Sequence, residues 1–177
     1  PDYASVTGTE NAVMAAVLAE GETVIYNAAC EPHVQNFCEM LVKMGANITG
    51  IGTNRLVIQG VGELNGCEEK VIADHHEITT FLALGAMTGG RVEVEDAIPE
   101  HFSLINNAFA KLGVEVKYMR GENGEMNVAY VEENQGFEPK KAFTENYINR
   151  IEAAPWPYFP ADLLPLMVSL SLKTKGV

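Results

Sequence analysis

Ser5-Val6-Thr7-Gly8-Thr9-Glu10-Asn11-Ala12-Val13-Met14-Ala15-Ala16-Val17-Leu18-Ala19-Glu20-Gly21 is the stretch on which the fold turns. Thr7 and Glu10 have the spacing of a capping box, in which hydroxyl and carboxylate each satisfy an orphan amide at a helix start. Ala12, Ala15, Ala16 and Ala19 make a small-residue stripe that permits close packing. Gly21 stands where a C′ glycine stops a helix. Outward from it, residues 23–26 predict a strand. Glu31-Pro32 opens a second helix, with the proline in the first turn where it is tolerated. Val34, Phe37, Cys38, Leu41 and Val42 keep helical spacing, and Gly45 ends the run. Residues 47–51 and 55–59 predict strands around Gly52-Thr53-Asn54.

The same order then recurs. Residues 77–88 predict an apolar helix behind an Asp74-x-x-Glu77 cap, Gly89-Gly90 ends it, and residues 91–95 predict a strand. Pro99-Glu100 opens a helix through Phe102, Ile105, Phe109 and Leu112, stopped by Gly113. Residues 114–119 and 126–131 predict strands around Gly121-Glu122-Asn123-Gly124. Gly21 pairs with Gly90, and Gly45 with Gly113. After a polar loop or hairpin over residues 135–141, a third copy begins at Asp162 with an apolar helix ending near Gly176. Self-similarity at a long period marks a repeat architecture, whose units pack apolar faces against sister copies. The helices starting near Gly8, Glu77 and Leu163 are apolar all round and are expected to be the most buried in their units, with the strands forming outer sheets.

The chain has 177 residues and a net charge of −12. That length allows a real core. The charge argues against nucleic-acid or acidic-membrane partners, which need clustered cations. No apolar run reaches the ~18 residues that span a bilayer, and no signal peptide is visible at the start. Cys30, Cys38 and Cys67 fit neither a disulfide framework nor a zinc motif, so reduced cytoplasmic thiols are expected. Cys30 and Cys38 are expected on one helix. Cys30, at a helix start that would lower its pKa, is a candidate nucleophile against the plainer reading of a core cysteine.

Ala153-Ala154-Pro155-Trp156-Pro157-Tyr158-Phe159-Pro160-Ala161-Asp162-Leu163-Leu164 is the second informative stretch. Three prolines within six residues exclude a helix interior or a central strand, so the segment is a stiff loop. Asp162 falls where a cap or first-turn residue falls. A carboxylate fixed among aromatics on a rigid loop also suits a general base or a hydroxyl ligand. Both readings stand. Asp74-His75-His76-Glu77 invites a metal reading. Neighbouring residues on a regular helix point about 100° apart, so no metal site is expected there.

The two quoted stretches, the first running on through Ile25-Tyr26-Asn27-Ala28-Ala29-Cys30-Glu31-Pro32, resemble the UDP-N-acetylglucosamine 1-carboxyvinyltransferases, the MurA-like enolpyruvyl transferases. The resemblance implies an α/β fold of repeated units, an inside-out barrel with inner helices and outer mixed sheets. It implies a fragment, with residues 1–70 closing one domain and residues 71–177 opening a second. It implies transfer of the enolpyruvyl group of phosphoenolpyruvate to the 3′-hydroxyl of UDP-N-acetylglucosamine, a step of peptidoglycan synthesis, without metal or organic cofactor. Anionic substrates on an acidic chain would be held by helix N-termini, a few local cations or the rest of the parent.

Carried over residue by residue, the resemblance makes Asp162 the catalytic base. It places Tyr3, Ala4, Ser5, Val6, Thr7 and Ala161, with Asp162, at the substrate. Tyr3 stands where the family usually has lysine, His75 where it often has arginine, and Glu152 where many members have arginine. The catalytic cysteine and the N-terminal lysine-asparagine pair of the family lie upstream of Pro1, so this chain alone is expected to be inactive and to need the rest of its parent. An EPSP synthase-like carboxyvinyltransferase and a non-catalytic repeat module remain as alternatives.

Overall fold

The computed structural model describes residues 2–140 and 150–176. By its internal packing the chain divides into two compact units, Pro1–Ile72 with Pro155–Pro157, and Ala73–Ala154 with Tyr158–Val177.

The first unit runs α1 (Val6–Ala16), β1 (Glu22–Tyr26), α2 (Pro32–Lys43), β2 (Asn47–Thr49) and β3 (Arg55–Gln59). Its sheet has the order β1-β3-β2, so the last strand in sequence lies in the middle. Both pairings are antiparallel, with Val24 opposite Val57 and Ile48 opposite Ile58. Leu56 and Ile58 on alternate positions of β3 turn inward, where they meet Val13, Val17, Val34 and Cys38. Removing one such aliphatic side chain from water is worth about 1.5–3 kcal/mol. Residues 63–72 are tied to α2: Asn65 N donates to the Met44 carbonyl (2.7 Å), Asn36 Nδ2 to Glu69 Oε1 (3.2 Å) and Ile72 N to Asn36 Oδ1 (3.3 Å). Lys43 pairs with the same Glu69 carboxylate.

The second unit repeats the plan as α3 (His75–Thr88), β4 (Val92–Val94), α4 (Ser103–Lys111), β5 (Val116–Met119) and β6 (Val128–Val131), then α5 (Leu164–Ser171). The sheet order is β4-β6-β5, again antiparallel with the last strand central. Phe102, Phe109, Leu82, Ile105 and Leu170 fill its core. The left-handed glycines show the repeat most sharply. Gly21 and Gly89 both have positive φ, as do Gly45 and Gly113, and both pairs are 68 apart (89 − 21 and 113 − 45). Gly89, rather than Gly90, is thus the counterpart of Gly21.

Several expectations are corrected. The sheets are antiparallel, not mixed. Ser5, not Thr7, caps α1, its Oγ accepting from Gly8 N at 3.2 Å. The helix stops at Ala16, well short of Gly21, and a turn covers the gap. Pro99 opens a 3₁₀ turn (Pro99–Phe102) that leads into α4. The strands expected over residues 47–51, 91–95, 114–119 and 126–131 are each shorter by two residues. The third helix ends at Ser171 rather than near Gly176. Cys30 precedes α2 instead of lying on it. The three apolar helices are not buried all round: Met14 on α1, Phe81 and Leu84 on α3, and Val168 on α5 are exposed. The polar stretch from 135 has no regular structure through 140, and Lys141 lies outside the described residues.

No helix among the described residues is long and apolar enough to cross a membrane.

Candidate active site

In the second unit, Asp162 sits on a 3₁₀ turn, Ala161–Leu163, that leads directly into α5. The turn is pinned at both sides. Before it, Phe159 is 3% exposed, and its carbonyl accepts from Ala154 N at 3.2 Å where residues 153 and 159 form a parallel bridge. After it, Leu163, Met167 and Leu170 are buried in the core of the unit. Pro160 fixes φ at the entry. Ala161 and Asp162 between these anchors are exposed.

Asp162 does not cap its helix. Pro160 precedes the 3₁₀ turn and Leu163 precedes α5, and neither end is closed by a side-chain hydrogen bond. The backbone that carries Asp162 is anchored on either side, and the exposed carboxylate is uncommitted to the helix start. A group so placed can accept a proton or hydrogen bond from a substrate hydroxyl without giving up a structural bond.

In the first unit, the sequence-predicted residues Tyr3, Ala4 and Ser5 lead into α1, and Val6 and Thr7 are its first two residues. Tyr3 is 82% exposed, while Ser5 and Thr7 are also open to solvent. Ser5 Oγ serves Gly8 N, so the amides of Val6 and Thr7 are the helix-start donors that have no intrahelical partner. Val6 packs against the core and fixes the direction of the helix. Such an end attracts an anion through unpaired N–H groups and the helix dipole. Behind it lies a residue that motif reading missed. Thr9 is 1% exposed, and its Oγ1 accepts from Ala29 N at 2.9 Å. That bond ties the helix to the segment after β1. Only the threonine inside an alanine-rich helix could have signalled it.

Neither Cys30 nor Cys38 is set up as a nucleophile. Cys30 Sγ donates to the Trp156 carbonyl at 3.6 Å, and burial, aided by Glu31, pushes its thiol pKa up rather than down. Cys38 is buried on α2, and desolvation with the charges of Glu10 and Glu39 pushes it up to about 11. Glu152, expected as an unusual acid near Asp162, is exposed and pairs with Arg150 at 3.1 Å.

At the start of α3, Asp74 is the N-cap, its Oδ1 accepting from His76 N at 2.8 Å. His75 is 2% exposed and His76 partly buried, with ring centroids 4.1 Å apart. The ligand atoms of Asp74, His75 and His76 all lie within 4.8 Å of one another. The 100° separation concerns His75 and His76 alone; the rings of these first two helix residues lie side by side, and Asp74, outside the helix, folds back over its first turn.

Compared with known proteins, residues 1–177 match the family described as EPSP synthase (3-phosphoshikimate 1-carboxyvinyltransferase). The chain belongs to the EPSP synthase family. Its curated relatives in that family include the UDP-N-acetylglucosamine 1-carboxyvinyltransferases of Borreliella burgdorferi, 47% identical over 175 residues, and Treponema denticola, 43% identical over 175 residues. Each alignment takes in 99% of this chain and 39% of the relative, so the chain spans about two fifths of their length. The fold likeness extends to the enolpyruvyl transferase NikO from Streptomyces tendae, with TM-score 0.72 at 16% identity over 96% of this chain and 38% of that one. It extends also to EPSP synthase from Acinetobacter baumannii, with TM-score 0.53 at 22% identity over 73% of this chain and 30% of that one.

Proposed function

We propose that the parent protein transfers the enolpyruvyl group of phosphoenolpyruvate to the 3′-hydroxyl of UDP-N-acetylglucosamine, with release of phosphate, in peptidoglycan synthesis in the cytoplasm. The observation that carries this reading is the shared name of relatives at 43–47% identity along the whole of this chain. The reaction joins the sugar oxygen to C2 of phosphoenolpyruvate as a proton is delivered to C3, then removes a C3 proton and expels phosphate from C2 as the double bond re-forms. It needs a base for the hydroxyl, an acid for the enol carbon and cations for the phosphate. In this reading Asp162 is the base and hydroxyl ligand, and Ala161 lines the same turn. Tyr3, Ala4, Ser5, Val6 and Thr7 receive the nucleotide part at the α1 N-terminus, with Tyr3 offering a phenol in place of a cation. Residues 1–70 would close one domain and residues 71–177 open the next, in a barrel with helices inside and sheets outside. The exposed apolar side chains of α1, α3 and α5 fit that arrangement. The remaining acid and cations come from the rest of the parent chain, and the chemistry calls for no metal or organic cofactor.

The test is Asp162→Asn in the full-length parent. The turn uses no capping bond from this side chain, so the melting temperature should hold. Loss of a general base lowers turnover on the order of 10²–10⁴-fold. Turnover close to the parent rate sinks the assignment. Phosphate release with UDP-N-acetylglucosamine, run beside shikimate 3-phosphate, distinguishes the two carboxyvinyltransferase readings. Activity with neither leaves a binding module.

A further inference from the structure

We propose that Asp74, His75 and His76 form a binding site for a divalent transition-metal ion of the zinc class. Among the described residues these three side chains are the set of histidine, cysteine and acidic groups whose ligand atoms converge, all within 4.8 Å of one another. Ligands bound to one tetrahedral zinc at about 2.0–2.2 Å stand about 3.3–3.6 Å apart, so small side-chain rotations close the site. Two imidazoles and a carboxylate suit zinc and its neighbours, whereas magnesium and calcium prefer oxygen alone. Three protein ligands leave a coordination position for water or a further ligand.

The surroundings hold the ligands ready. The amide of His76 fixes Asp74 Oδ1 at 2.8 Å, which leaves Oδ2 to an ion. His76 Nδ1 lies 3.4 Å from the same Oδ1, so ring and carboxylate face each other. His76 Nε2 is a buried nitrogen with no hydrogen-bond partner among the described residues. Buried nitrogens normally find one, and a ligand is one way to complete it. His75, 2% exposed, is fixed by packing and has His101 edge-on to its ring at 6.1 Å. One force opposes the ion: a helix N-terminus carries partial positive charge. The carboxylates of Asp74 and of Glu77 in the first turn offset it.

The probe is Zn²⁺ alone, titrated into the purified chain and into Asp74→Asn and His76→Gln. Asparagine caps a helix about as well as aspartate, so Asp74→Asn removes a ligand and leaves the helix start intact. The unmodified chain should bind Zn²⁺ saturably, and each variant should bind at least ten-fold more weakly while keeping its zinc-free melting temperature. Co²⁺ in place of Zn²⁺ should give visible d–d bands without a thiolate charge-transfer band. Equal Zn²⁺ affinity in all three proteins overturns the site. So does a thiolate band, which would put the ion on a cysteine, or the absence of saturable binding by the unmodified chain.

Discussion

Gly85→Ala tests how tightly the second unit is built. Gly85 lies inside α3, whose residues face β4 and β6. A methyl there would stand 2.7 Å from Val92 Cγ2, 2.8 Å from Val92 Cβ and 2.9 Å from Val131 Cγ2. Carbon atoms settle at about 3.5–4.0 Å, so the helix must retreat by most of an ångström or the valines must leave their rotamers. Overpacking of this kind costs about 1–3 kcal/mol. Alanine's helix propensity offsets about 1 kcal/mol of that. The net expectation is a loss of about 1 kcal/mol, which lowers the melting temperature by about 2–4 °C in a chain of this size. Scanning calorimetry on Gly85→Ala, Val92→Ala and the double variant reads both terms. Val92→Ala removes the nearest methyl, so the double variant should be less destabilised than the sum by at least about 0.5 kcal/mol. A Gly85→Ala chain as stable as the parent, or strict additivity, would refute the close approach.

Three more outcomes follow from particular side chains. Thr9→Val keeps the shape but leaves the buried Ala29 amide without its acceptor, which should cost about 1–3 kcal/mol in urea unfolding; an unchanged midpoint would show that bond to be idle. Under iodoacetamide at mildly alkaline pH, exposed Cys67 should be alkylated first and buried Cys38, pushed up to about 11, last, as peptide mass mapping would show; equal rates would contradict the burial. His101 is held below its ordinary pKa because burial outweighs the charge of Glu100. The unfolded chain therefore binds this proton more readily, so the contribution of His101 is present above about pH 6.5 and is lost as the pH falls below that value. Melting temperatures measured through that range should fall less steeply in His101→Gln, and identical slopes would exclude the effect.

Strand β3 was legible to the residue, because Arg55 to Gln59 alternates and is bounded by Asn54 and Gly60. The repeat was legible too, since positive-φ glycines punctuate it and glycine adopts that backbone at little steric cost. Helix ends were less so. Ser5 and Thr7 are both good caps, and Ser5 wins because starting the helix there lets Val6 reach the core. Asp162 looked like a cap from its position, but the chain enters α5 through a 3₁₀ turn, which shifts the cap positions to Pro160 and Leu163. Periodicity shows that a helix face is apolar without showing what covers it, which is why the helix near Glu77 was expected to be the most buried of its unit although Phe81 and Leu84 are exposed. Asp74, His75 and His76 were singled out in the sequence and set aside as a metal site on regular helix angles, which do not give the side-chain rotamers that bring their ligand atoms together.

In each sheet the strand that emerges last from the ribosome is the one that takes the middle place. Glu22–Tyr26 and Asn47–Thr49 have no ladder to each other, and only Arg55–Gln59 joins them. During vectorial synthesis the first four elements of a unit therefore wait, with edges unpaired and the inner face of the sheet uncovered, until its final strand arrives. A nascent chain stalled short of Gln59 holds two lone strands, and one stalled short of Val131 holds two more. Each sheet is closed at once by its last strand, and not by gradual extension from its first one.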